Sequence, residues 1–176
     1  PTRRSSDLWS GGIYILELDA ATGQPKNPKT TSGDTDGYFG KRIAGGYKKS
    51  GEAPYIQYDA ESGYYYLYVT YGWLGADGGY HIRMYRSNTI NGNYVDAAGN
   101  SAVFSEGTNQ ADRGIKVMGN YNFTPIMQGY KSAGHNSAFI DTDNQRYLVY
   151  HTRFASGNES HEDRKSTRLN SSHPSI

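Results

Sequence analysis

Apolar and polar positions alternate along most of this chain in short runs, and each run ends in a cluster of turn-forming residues. The first run, Ile13 to Leu18, is rich in β-branched and aromatic side chains and stops at the turn-forming residues 19–23. Alternation with a period of two, closed by Asp, Gly or Asn, is typical of half-buried β-strands. No stretch keeps the spacing of an amphipathic helix, so the pattern predicts an all-β fold.

Two later segments, residues 55–70 and 138–151, repeat one order of features. Each begins with an apolar strand, passes through an acidic turn and continues into a strand rich in aromatic side chains. Another strand is predicted between them at His81 to Ser87, closed by the turn residues 91–93. Recurring antiparallel units favour the blades of a β-propeller, although an ordinary β-sandwich would share these signals.

The two ends of the chain carry neither strand alternation nor helical periodicity. Residues 1–8 and 163–176 resemble translated sequencing-adapter DNA, and non-native segments of that kind are excluded from fold reasoning. We therefore expect two non-native tails around residues 9–162. On this interpretation the native part is an internal fragment of a longer protein.

Composition and charge narrow the classes of function. The chain has 17 Tyr and 22 Gly beside 5 Phe, which suits strands, tight turns and polar aromatic surfaces. Its net charge of +1 comes from the ends, because residues 1–7 carry +1 and residues 163–176 carry +2, which leaves −2 between them. That balance provides no basic stripe for nucleic acid. The absence of Cys excludes disulfides and a thiolate nucleophile, and no apolar run is long enough to span a bilayer.

Two polar residues stand at matching offsets, three residues before the first strand of each repeated unit. They are Glu52, within Gly51-Glu52-Ala53-Pro54-Tyr55-Ile56, and His135, within Gly134-His135-Asn136-Ser137. In a propeller the innermost strands converge near the central axis. Equivalent placement therefore predicts that Glu52 and His135 point into one shared pocket.

Four motifs occur in order along residues 9–162 and resemble glycoside hydrolase family 43, particularly its arabinanases and arabinofuranosidases. The motifs are Trp9-Ser10-Gly11-Gly12-Ile13, Glu52-Ala53-Pro54-Tyr55-Ile56, Arg86-Ser87 with Gly92-Asn93-Tyr94-Val95-Asp96, and Gly134-His135-Asn136-Ser137 with Tyr150-His151-Thr152-Arg153. The resemblance implies a five-bladed β-propeller, of which about half the blades would be present here. It also implies an inverting hydrolase with three acidic residues in a central funnel.

The resemblance implies that Glu52 is the general acid. Cleavage of a glycosidic bond needs a carboxylic acid that keeps its proton until the leaving oxygen takes it. The alternative is a surface role, in which Glu52 caps a turn or pairs with Lys48 or Lys49. By the same resemblance, the catalytic base and the third acid precede Trp9 in the parent protein. We therefore expect the chain to come from a glycosidase and to be inactive as it stands.

Four residues are predicted to bind substrate. The resemblance places His135 at the bottom of the funnel, where arabinanases hold a calcium ion or a water cluster. Because Ca²⁺ prefers oxygen ligands, His135 would reach one calcium ion through water, and no organic cofactor is expected. Trp9 and Trp73 offer aromatic faces for a sugar, with ordinary loop packing as the alternative for Trp73. Arg153 is predicted to reach a sugar hydroxyl or a carboxylate.

The resemblance implies a parent enzyme that cleaves arabinofuranosyl linkages in arabinan or a related plant cell-wall polysaccharide. Two alternatives stay open: a β-xylosidase or arabinoxylan arabinofuranohydrolase of the same family, and a carbohydrate-binding propeller that has lost catalysis. The expected parent is secreted or periplasmic and monomeric. Neither nucleic acid nor a membrane is an expected partner.

Overall fold

The structure is a computed structural model of the 176-residue chain, and it describes residues 11–26, 40–49, 51–75, 78–121 and 129–154. The predicted tails and Trp9 lie outside these residues. The described strands are β1 (Ile13–Ile15), β2 (Lys41–Ala44), β3 (Glu52–Asp59), β4 (Tyr64–Tyr71), β5 (His81–Ser87), β6 (Ile115–Met118), β7 (Tyr130–Ile140) and β8 (Arg146–Phe154). A single 3₁₀ turn, Gln110–Asp112, is the one named helical element in this part of the chain. The all-β prediction is therefore confirmed.

The strands form three antiparallel sheets. The middle sheet is a four-stranded meander in the order β3-β4-β5-β6, and the two-stranded sheets β1-β2 and β7-β8 precede and follow it along the chain. Both predicted hairpins are present, as β3-β4 and β7-β8. Strand β1 is shorter than predicted, because its pairing with β2 ends at Ile15 and the following Leu16 and Leu18 are exposed.

Alternation along β4 divides its side chains between the two faces of the middle sheet. Leu67, Val69 and Tyr71 are buried in a core cluster with apolar side chains of β1, β2 and the loop between β5 and β6. Burial of each such side chain contributes about 1.5–3 kcal/mol. Thr70 faces the other way, where its hydroxyl accepts a hydrogen bond from the His135 backbone N–H at 3.0 Å. The β7-β8 hairpin therefore packs on the face opposite this core.

Backbone bulges interrupt the ladders near Glu52 and His135. The β3-β4 register shifts between Glu52 and Tyr55, and the β7-β8 register shifts on both sides of Gly134. Ala53 and His135 have positive φ angles of 48° and 50°, a region that residues with a Cβ seldom adopt. Bulges bend a strand and redirect its side chains. Glu52 and His135 thus lie within bulged strands, whereas the sequence pattern had placed them before the strands began.

No helix in the described residues has the length and apolar character needed to cross a membrane.

Candidate active site

Glu52 lies at the first position of β3, where the chain enters the middle sheet. It is half-buried and stands opposite Thr70 of β4. Its Oε1 atom accepts a hydrogen bond from the hydroxyl of Tyr80, the residue just before β5. The carboxylate predicted to be catalytic is thus held by a neighbour 28 residues away in sequence.

Tyr80 is 2% exposed and packs against two histidine-bearing segments of the β7-β8 hairpin. Its ring stacks on His151 with centroids 5.9 Å apart and planes at 19°, and the His151 ring lies 6.2 Å from that of His135. We call Tyr80, His151 and His135 the aromatic row. A Cβ added at Gly134 would come within 2.2 Å of the Tyr80 ring, so this close approach depends on glycine.

The aromatic row connects the two residues that the sequence singled out. His135 is exposed, and its backbone N–H is bonded to Thr70, which is the ladder partner of Glu52. Glu52, at the start of β3, and His135, midway along β7, are therefore connected through Tyr80 and His151. The catalytic role of Glu52 and the binding role of His135 stay predictions.

Sequence reasoning missed Tyr80. The chain has 17 tyrosines, and Tyr80 lies outside the four motifs that carried the resemblance. Burial raises the pKa of the Tyr80 hydroxyl, and its hydrogen bond to Glu52 and the charge of that carboxylate raise the pKa further. The hydroxyl consequently stays protonated across the usable pH range and acts as a donor to Glu52.

The residue after Tyr80 fixes the start of β5. The His81 Nδ1 atom lies 2.6 Å from the Gly79 carbonyl oxygen, and the His81 Nε2 atom accepts a hydrogen bond from Arg83 Nε at 2.8 Å. Since Nε2 is an acceptor, Nδ1 carries the proton and donates it to Gly79. Burial lowers the pKa of His81 and the nearby Arg83 and Lys116 lower it further, which outweighs the opposing effect of the Gly79 carbonyl. A neutral His81 therefore anchors the backbone beside Tyr80.

The predicted sugar-binding residue Trp73 lies in the loop between β4 and β5, and the second one, Arg153, bonds to the backbone of the same loop. Trp73 is 69% exposed, and its backbone N–H donates to the Gly78 carbonyl at 3.0 Å. Arg153 Nη1 donates to the carbonyl of Leu74, the next residue in that loop, at 3.1 Å. The exposed indole is therefore presented on a loop that β8 helps to hold. The fourth predicted residue, Trp9, lies outside the described residues.

The described part of the chain contains residue types that commonly bind metal ions. No group of three or more His, Cys, Asp or Glu side chains comes together there. His135, the predicted calcium ligand, is exposed and offers ring nitrogens. Nitrogen from a single residue is a poor match for an ion that takes six to eight oxygen ligands. His135 by itself fits calcium only through intervening water.

Comparison with known proteins places these features in context. The family described as "Glycosyl hydrolases family 43" matches residues 4–172. The extracellular endo-alpha-(1->5)-L-arabinanase 2 of Bacillus subtilis is 41% identical over 168 residues, which cover 89% of this chain and 34% of that protein.

Solved structures give the same picture. The crystal structure of the glycoside hydrolase family 43 YxiA protein from Bacillus licheniformis aligns with a TM-score of 0.71 at 43% identity, covering 86% of this chain and 34% of that one. The endo-1,5-alpha-L-arabinanase from Thermotoga petrophila aligns with a TM-score of 0.70 at 38% identity, covering 85% and 33%. The chain thus spans about a third of the length of these relatives.

Proposed function

Since this chain belongs to glycosyl hydrolase family 43, we propose that it is part of a secreted enzyme that hydrolyses arabinofuranosyl linkages in arabinan. Two relatives that match it in sequence are named extracellular endo-arabinanases. The observation that carries the proposal within this chain is the placement of Glu52. A buried tyrosine fixes this half-buried carboxylate at a bulged strand start, and a general acid has to be held in position to act.

In the proposed reaction, Glu52 delivers a proton to the glycosidic oxygen as the bond from that oxygen to the sugar breaks. Water attacks the sugar from the opposite face and inverts its configuration. That water is activated by a second carboxylate, which in inverting enzymes stands about 6.5–9.5 Å from the acid. On the family resemblance, we propose that the second carboxylate and a third acid belong to the part of the parent protein outside this chain.

We propose that the three sheets belong to successive blades of a five-bladed propeller, with about half of the ring in this chain. The four-stranded meander β3-β6 is the usual unit of a blade, and flanking sheets cover both of its faces. The start of β3, with Glu52, and the middle of β7, with His135, then lie towards the axis. This placement supports a funnel on the side that carries Glu52 and His135.

Substrate binding is proposed for the exposed groups around this funnel. Trp73 offers an open indole face for stacking on a sugar, and His135 presents its ring beside the aromatic row. Arg153 bonds to Leu74 in the Trp73 loop and is proposed to reach a sugar hydroxyl or a carboxylate from there. Trp9 is proposed as a further wall of the funnel. A calcium ion, if bound, would be held mainly by water near His135.

No observation specifically favours either of the two alternative functions. A β-xylosidase or arabinoxylan arabinofuranohydrolase would use the same acid, and the relatives' names favour arabinan. A binding module without catalysis is disfavoured by the names of the relatives, which are those of hydrolases. The proposed parent is a monomer that acts on plant cell-wall polysaccharide or its oligosaccharides.

The test is to recover the complete reading frame and to assay its purified product on linear arabinan and on arabinoxylan. We expect arabinan cleavage, and we expect Glu52→Gln to lower kcat by about 10²–10⁴-fold, the usual contribution of general acid catalysis. Glu61→Gln is the matched control, since Glu61 is exposed and pairs with Arg146 at the far end of the hairpin. Full activity in Glu52→Gln, or preference for arabinoxylan, would overturn the proposal.

A further inference from the structure

The two carboxylate oxygens of Glu52 have different surroundings. Oε1 accepts the hydrogen bond from Tyr80, whose hydroxyl is almost entirely removed from solvent. Glu52 itself is only half-buried, which leaves the carboxylate reachable from outside. Protonation of such a group is not symmetric, because the two oxygens offer the proton different environments.

We propose that Tyr80 is a positioning residue that assigns the transferable proton of Glu52 to Oε2 and turns Oε2 towards the glycosidic oxygen. The inference rests on the proposed function, because it concerns the proton that Glu52 delivers. Tyr80 does not touch the reacting atoms. It acts through Glu52.

The chemistry follows from the difference between the two oxygens of a neutral carboxyl group. The carbonyl oxygen accepts hydrogen bonds better than the hydroxyl oxygen does. A donor fixed on Oε1 therefore makes Oε1 the carbonyl oxygen and leaves the proton on Oε2. During cleavage the Oε2–H bond breaks, the proton goes to the leaving oxygen, and the electron pair of the broken glycosidic bond stays on that oxygen. The resulting carboxylate keeps its bond from Tyr80 and regains a proton from solvent before the next turnover.

Several contacts fix the Tyr80 hydroxyl in place. One face of the ring stacks on His151, and the missing side chain of Gly134 lets the ring approach β7. The backbone just before Tyr80 is held by His81 through the Gly79 carbonyl. A donor held from several directions orients its acceptor, since precise placement of a reacting group is worth up to about 10²-fold in rate.

The first experiment compares leaving groups in the full-length protein. Tyr80→Phe keeps the stacked ring and removes only the hydroxyl. On an arabino-oligosaccharide, whose sugar leaving group needs a proton, we expect kcat to fall by about 10–100-fold with KM within about twofold. On the same oligosaccharide carrying a 2,4-dinitrophenyl leaving group, which departs without a proton, we expect a change below about threefold.

The matched control is Tyr94→Phe. Tyr94 is also buried, and its hydroxyl donates to the Ile90 carbonyl at 2.8 Å in the core on the opposite face of the sheet. We expect Tyr94→Phe to show no dependence on the leaving group. Equal losses on both substrates in Tyr80→Phe, or no loss on either, would overturn the inference while leaving the proposed function intact. Failure of the wild type to cleave arabinan, or full activity in Glu52→Gln, would instead refute the proposed function.

A second measurement does not depend on the folding of Tyr80→Phe. In Glu52→Gln, the side-chain amide has one acceptor oxygen and one donor nitrogen, so it copies a protonated carboxyl group. Neutron diffraction from crystals of this variant with a bound arabino-oligosaccharide would locate the amide deuterons. We expect the amide oxygen at position 52 to accept from Tyr80 and the amide nitrogen to face the glycosidic oxygen. The reverse orientation would overturn the inference.

Discussion

Asp59, at the end of β3, shows how a single side chain joins two sheets. It is buried, and it accepts hydrogen bonds from Arg146 Nε and Nη2 at 3.0 Å each. Arg146 also reaches Glu61 at 2.6 Å. Burial raises the pKa of Asp59, but the bonds from Arg146 and from the Glu61 backbone N–H lower it by more, so the net pKa lies below the usual value. The charged form of Asp59 therefore stabilises the contact between β3 and β8.

The lowered pKa of Asp59 predicts that the stability of the fold depends on pH in the acidic range. A carboxyl group whose pKa is depressed by folding contributes stability above its unfolded pKa of about 3.9, and that stability is lost as pH falls through the lower folded value. We expect the thermal midpoint of the chain to fall as the pH drops below about 4. Asp59→Asn should lower the midpoint at neutral pH and flatten this acid dependence. Asp143→Asn, in the exposed turn before β8, is the control. An acid dependence that Asp59→Asn leaves unchanged would contradict this assignment.

Strand β7 combines most of the unusual backbone geometry of the site. Its register shifts on both sides of Gly134, and Ser132 and His135 both have positive φ angles. A Cβ at Gly134 would stand 2.2 Å from Tyr80 Cε1 and 2.6 Å from Thr70 Cγ2. The bulge thus brings β7 against the middle sheet where Glu52 is held, and glycine is the residue that permits it.

Gly134→Ala is therefore expected to push β7 away from Tyr80. Overpacking of this kind typically costs about 1–3 kcal/mol, and here the neighbours include a buried ring that cannot move freely. We expect a lower free energy of unfolding by about that amount in urea titrations. In the full-length protein, activity on sugar leaving groups should fall as well. Gly11→Ala is the control, because a Cβ there meets nothing within 4 Å. Equal stability of the two variants would show that β7 is free to adjust.

One face of the β7-β8 sheet carries large apolar side chains that the described residues leave about half exposed. Phe139, Tyr147 and Val149 are 46%, 47% and 52% exposed, and the first two rings stack with centroids 5.0 Å apart. The far edge of β8 is not paired with any described strand. In the propeller proposed above, this face would pack against a neighbouring blade. Exposed edges and apolar faces also favour association between chains.

We expect the 176-residue chain by itself to show no turnover of linear arabinan. It provides Glu52 but, on the family resemblance, neither the base that activates water nor the third acid. Reducing-sugar release by the purified chain is the measurement, with the full-length protein at the same concentration as the positive control. Circular dichroism should show β-structure in the assayed sample, so that inactivity is not mistaken for unfolding. Turnover comparable to that of the full-length protein would show that the site is complete without the other acids.

Local pattern was enough to predict the strands and to single out one candidate side chain, Glu52. Alternation and turn residues determine where a chain can form hairpins, so β3-β4 and β7-β8 were predictable from residues near one another in sequence. Glu52 could be singled out as a candidate because its motif is contiguous and recognisable, and its catalytic role stays a prediction. The limits of β1 were not predictable, since they depend on how far β2 runs beside it.

The surroundings of Glu52 were decided by packing between distant segments. Tyr80 reaches Glu52 across 28 residues, and the stack of Tyr80 on His151 joins positions 71 residues apart. Neither contact can be read from a periodic sequence pattern, because a tyrosine on a loop and a histidine on a strand have no fixed sequence spacing from a carboxylate elsewhere. The contact between Tyr80 and Glu52 depends on how the β7-β8 sheet packs against the middle sheet. That packing depends in turn on the bulges in β7 and on the space left by Gly134.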